Sequence, residues 1–142
     1  MRRRPMERGQ AAIEFALTSL LFFTLVLFIM DGGIIFWNYL TVSEAAREGA
    51  RYAIVRGAEA EKAGAESVGP DGYAALEEEV RRWAIGLDPT HLTVNASWEN
   101  NSNQRDSIVT VTVSYEVSPI TGLFWSGLTF NLSDSSSMAV QY

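Results

Sequence analysis

Glu14 is the side chain whose chemistry most needs an explanation. Between residues 11 and 30 every residue is apolar or small except Glu14, Thr18, Ser19 and Thr24. A carboxylate in such a run costs about 2.5 to 3.5 kcal/mol at the middle of a bilayer, and less near its edge. Two arrangements offset that cost without any partner. The side chain reaches back to the headgroups, or it sits at a helix N-terminus, where the macrodipole favours negative charge. The setting is specific: Arg2, Arg3, Arg4 and Arg8 come first, then Gly9, then four residues, then Glu14.

The remaining chemistry-bearing residues point away from catalysis. His91 is the sole histidine and there is no cysteine, which excludes Ser-His-Asp triads, multi-histidine metal sites, thiolate ligands and disulfides. The Asn- and Asp-containing stretch 99–106 has no calcium-loop spacing and reads as a hydrated turn. Asn95, Asn100 and Asn131 begin Asn-x-Ser triplets, which matter only in a glycosylating secretory pathway. No phosphate-binding loop is present, so neither an enzyme nor a cofactor is expected. The net charge is −6, and four of the eleven basic residues lie in residues 1–9. The rest of the chain is acidic, with scattered basic residues, which argues against nucleic acid as a partner.

The element that carries Glu14 is a helix long enough to cross a membrane. Twenty residues rise about 30 Å, the thickness of the hydrocarbon core. Residues 20–30 (LLFFTLVLFIM) are apolar all round, unlike an amphipathic core helix, and the run exceeds the 7 to 15 residues or so of a cleavable signal's apolar region. The arginines ahead of it place the N-terminus in the cytoplasm and the body outside. Apolar residues continue through Ile34, Phe36, Trp37, Tyr39 and Leu40, with Trp37 and Tyr39 suited to the headgroup level. Asp31-Gly32-Gly33 reads as a weak point or kink. Residues 43–55 (SEAAREGARYAIV) are rich in helix formers, with Glu44 and Glu48 three residues before Arg47 and Arg51. One long helix over roughly 10–56 results, with only its first half in lipid. Its second half offers Ala46, Gly49, Ala50, Ala53 and Gly57 as a small-residue face for close packing against a partner or the body.

Residues 58–72 read as a linker or mobile loop. An amphipathic helix follows, with Tyr73, Leu76, Val80, Trp83 and Leu87 on its apolar stripe. Leu92, Val94, Ala96 and Trp98 alternate with polar residues, as do Val109, Val111, Val113, Tyr115 and Val117, the period of half-buried strands. After Pro119 and a Gly-containing aromatic loop, Leu128, Phe130 and Leu132 share one parity. Met138, Val140 and Tyr142 resume it beyond Asp134 and Ser136, which predicts a bend or bulge. The expected fold class is α+β: a basic leader (1–9), a transmembrane helix (10–40), a helical stalk (41–57), the linker (58–72), and a small extracytoplasmic domain (73–142) of one helix on a three- to four-stranded antiparallel sheet.

The spacing of Gly9 and Glu14 resembles the prepilin site of type IV pilin-like proteins. The block Arg8-Gly9-Gln10-Ala11-Ala12-Ile13-Glu14-Phe15-Ala16-Leu17 resembles more specifically the TadE-like family of tight-adherence (Flp) pilus systems. So does the block from Ala45 to Ala53 (AAREGARYA) beyond the apolar span. The resemblance implies cleavage between Gly9 and Gln10 by a membrane prepilin peptidase, and a role for Glu14 in assembly. In that role its carboxylate pairs with the N-terminal ammonium of a neighbouring subunit. Phe15 stands where Flp-type major pilins usually have tyrosine, which favours a minor pseudopilin. The implied partners are the lipid bilayer, the peptidase and other pilin or assembly subunits, with self-association through the N-terminal helix. The implied place is the cytoplasmic (inner) membrane or a surface filament. The alternative is a single-pass ectodomain that binds or adheres outside any filament.

Overall fold

The computed structural model describes residues 5–60, 66–121 and 127–141. The start of the basic leader (1–4), part of the expected linker (61–65), part of the aromatic loop (122–126) and Tyr142 lie outside the described residues. One helix, α1 (Pro5–Ile54), runs without interruption for 50 residues. Its C-terminal part lies against two strands of a three-stranded sheet, with α2 (Ala74–Trp83) beside it and touching the third. The chain is thus α+β: a long apolar N-terminal helix followed by a small domain with a short helix and an antiparallel sheet.

The expected kink at Asp31-Gly32-Gly33 is not formed. Each glycine weakens a helix by about 1 kcal/mol relative to alanine, a small loss within a ladder of this length. The Asp31 side chain, which could otherwise compete for nearby backbone groups, is engaged elsewhere by Thr121. The helix begins before residue 10 and ends at Ile54, two residues short of the expected limit.

The sheet order is β1-β2-β3, with β1 (Leu92–Trp98), β2 (Ile108–Val117) and β3 (Phe130–Ala139) all antiparallel. Val109, Val111 and Val113 of the central strand are fully buried under α1, each contributing about 1.5 to 3 kcal/mol as apolar surface withdrawn from water. The bulge expected near Asp134 is absent: β3 pairs in unbroken register, with Asp134 opposite Val113 and Ser136 opposite Val111. Its inward residues are only half-buried, so as an edge strand it leaves Asp134 and Ser136 reachable by water and nothing forces the strand to bend. The outer face is polar, with Thr110 and Ser137, and Ser114 and Ser133, bonded across strands.

Two further expectations are corrected. The amphipathic helix stops at Trp83 rather than near Asp88, because the chain turns through Gly86 at φ 82°. Leu87 enters the core from that turn, whereas Trp83 remains 42% exposed with its indole N–H donated to Glu79. Nor is 58–72 a separate connector throughout. Val68 is buried in the core and its N–H donates to the Arg56 carbonyl. Asn103, expected in a hydrated turn, donates to the Val68 carbonyl and accepts from the Ala58 N–H. Val68 of the expected linker thus packs with the domain that follows it. The core includes Val42, Ala45, Ala46, Ala50 and Ala53 of α1.

Candidate functional site

The N-terminal part of α1 is open on all sides. Phe15, Leu21 and Phe23 are all more than half exposed, and from Gly9 to Ile54 the helix is long and apolar enough to cross a membrane, its most apolar stretch having no buried residue. A core helix of a soluble protein would be buried, so the exposure and the length together fit a membrane anchor. Glu14 lies on this open surface, where its Oε1 accepts a 3.2 Å hydrogen bond from Gln10 Nε2 one turn earlier. Gln10, which follows Gly9, and Glu14 therefore meet on one helix face. Gly9 is exposed, with no heavy atom within 4 Å of the position a Cβ would take. Phe15, the residue after Glu14, is 75% exposed.

The expected small-residue face lies against the chain's own domain. Ala46, Ala50 and Ala53 are fully buried. Gly49 is the closest approach: a Cβ there would stand 2.6 Å from Val80 Cγ2 and 3.2 Å from Val111 Cγ1. Glycine is needed because α2 and β2 both reach the helix backbone at this level. Gly57 is buried as well. Arg47 and Arg51 point outward, 3.8 Å from Glu44 and 3.1 Å from Glu48 respectively, and Arg56 stacks 3.7 Å above the Tyr52 ring. Such exposed pairs add a few tenths of a kcal/mol each.

Asp31 has a structural role that the sequence reading missed. It is 2% exposed although it directly follows the apolar run. Its carboxylate accepts hydrogen bonds from the Thr121 backbone N–H, at 3.3 Å, and from the Thr121 hydroxyl. The base of the domain is thereby tied to the helix where the open segment ends. The lone acidic residue at the close of the run was the available signal. Its partner, ninety residues away in a loop, left none.

Asp88 caps a single 3-10 turn (Pro89–His91), accepting from the Thr90 N–H at 2.9 Å and the Thr90 hydroxyl at 2.7 Å. These bonds, the backbone one first, hold its carboxyl below the ordinary value. His91 is exposed in that turn. Among the described residues no cluster of three or more His, Asp or Glu is placed to hold a metal ion.

Residues 9–51 match the family model described as TadE-like protein. The chain is similar to that family over this segment, about a third of its length. The match opens on Gly9 and closes on Arg51, so it takes in both the open span with Glu14 and the buried face around Gly49, but none of α2 or the sheet. No curated relative and no solved structure matches the chain.

Proposed function

We propose that this chain is a minor pilin-like subunit that takes part in building a tight-adherence pilus or a related secretion filament, inserted through α1 with its N-terminus in the cytoplasm. The observation that carries the reading is Glu14, exposed with Gln10 on an open apolar helix inside a TadE-like segment. A carboxylate left uncovered by its own chain on such a surface gains most from a cationic partner supplied by another subunit. After cleavage at Gly9, the new ammonium of Gln10 on a neighbouring copy is such a partner. The prepilin peptidase and the other subunits belong to this proposal, as does the absence of a reaction of the chain's own, for which the single histidine and lack of cysteine speak.

Intact-mass measurement of the protein extracted from membranes tests the processing step. The expected mass is that of a chain starting at Gln10, and retention of residues 1–9 beside an active peptidase would overturn it. Glu14→Ala tests assembly. The variant is expected to insert and be processed at normal levels while its incorporation into the filament fraction falls at least tenfold. Undiminished incorporation would instead favour a membrane-tethered binding domain that functions outside filaments.

A further inference from the structure

We infer that the base of the folded domain is a second membrane contact, an apolar foot that rests in the outer headgroup layer around the exit point of α1. Exposed apolar residues on α1 continue from Ala11 to Leu40. At 1.5 Å per residue this surface is about 44 Å long, against about 30 Å of hydrocarbon and about 40 to 45 Å including both headgroup layers. A helix that covers this whole surface with lipid must carry residues 31–40 into the outer headgroup layer. The domain comes with them, because Thr121 is bonded to Asp31 at the start of that stretch.

The surface that arrives there is suited to the position. Ile120 is 74% exposed and shares a groove with Ile34 and Asn38, while Ile85 is 73% exposed and shares one with Trp37 and Leu40. Each groove also has charged lining, Asp88 and Glu116 in the first and Glu44 and Arg47 in the second. The two clusters border separate grooves with no lining residue in common. Apolar residues therefore flank the helix on more than one side at similar heights. A flat lipid surface covers such a collar at once, whereas a second copy of the chain would cover one side. Trp37, with an apolar ring and a polar N–H, is the kind of side chain that gathers at this depth. Asp31 can enter it because the domain screens its carboxylate from the lipid and supplies two donors. Glu44 and Arg47, the next charged residues of α1, remain exposed and mark the water side.

The inference rests on α1 crossing a bilayer and holds whether or not the chain later joins a filament. The absence of native cysteine permits a direct test. Full-length protein carrying one spin label at Ile85→Cys or Ile120→Cys is reconstituted into phosphatidylcholine/phosphatidylglycerol vesicles. Collision rates with oxygen and with a neutral nickel chelate then report depth. Leu25→Cys serves as the reference in lipid and Arg105→Cys as the reference in water. Labels at 85 and 120 are expected to be at least threefold less accessible to nickel than the label at 105, and shallower than that at 25. Accessibility equal to that at position 105 would overturn the foot while leaving the anchor intact. A water-accessible label at 25 would overturn both. Spin-spin broadening at 85 or 120 that disappears on dilution with unlabelled protein would show that a second copy, not lipid, covers the surface.

Discussion

The two ends of α1 solve opposite problems with opposite residues. Over residues 20–30 the side chains are almost all large, apolar and open; over residues 45–53 the inward face is alanine and glycine and is enclosed. Large side chains maximise contact with a surrounding medium, while small ones let another backbone approach closely. A helix with both has one environment outside the chain and one inside it. Asp31 divides them, since its bonds to Thr121 fix where the domain begins to cover the helix.

Glycine substitutions should break this contrast most sharply. Gly49→Val places two methyl groups where a single Cβ already stands 2.6 Å from Val80. Overpacking of this kind costs about 1 to 3 kcal/mol, and the upper end is expected because Val80 and Val111 are both stiff at χ1. Loss of the cooperative thermal transition in detergent, or its fall by many degrees, would register it. Gly33→Ala meets nothing within 4 Å and should stabilise the helix by up to about 1 kcal/mol. If both substitutions lower the transition equally, the helix is not divided as described.

The bond at the division comes next. Thr121→Val removes the hydroxyl donor and leaves the Asp31 carboxylate part-unsatisfied in a buried position, a loss of about 1 to 3 kcal/mol. Asp31→Asn in the Thr121→Val background should recover part of it, because the neutral amide needs less solvation. Measured as a double-mutant cycle on thermal stability, a coupling near zero would remove Asp31 as the tie between helix and domain.

The contrast also explains what could be foreseen. The open span, the α+β class and the inward parity of β2 follow from local patterns: the unbroken apolar run of residues 20–30, and valine at 109, 111 and 113. The spacing of Gly9 and Glu14 is likewise a local pattern, since both residues lie within two helical turns. What escaped was tertiary. The small-residue face was visible, but whether it meets a partner or the body depends on α2 and β2. Gly86 ended α2 early through a backbone conformation that no periodicity reveals. Asn103 and Asp31 gain their meaning from partners 35 and 90 residues away. Asp134 looked like a break because alternation alone does not say that β3 is a half-covered edge.

A smaller effect sharpens the comparison in the open segment. Phe15→Ala removes a 75% exposed ring with no role in the core, so the thermal transition of the domain should move by no more than about 0.5 kcal/mol. A larger loss would mean that the open segment is packed against the domain after all.

The smallest expected effect belongs to the enclosed end and to acid. The carboxyl of Asp88 is held below its ordinary value of 3.8 by the Thr90 N–H and then the Thr90 hydroxyl. A group whose folded value is depressed binds protons more weakly in the folded state than in the unfolded one. Its stabilisation is therefore fully present above the unfolded value, and is lost as pH falls from there through the folded value. Near neutral pH, Asp88→Asn should cost little beyond the charge, because an amide oxygen can still accept from Thr90. Below pH 3.8 the difference between variant and parent should shrink toward zero. Thermal scans of both proteins from pH 7 down to about pH 3 read this directly. A gap that widens as pH falls would mean that the cap stabilises the turn by some route other than its charged form.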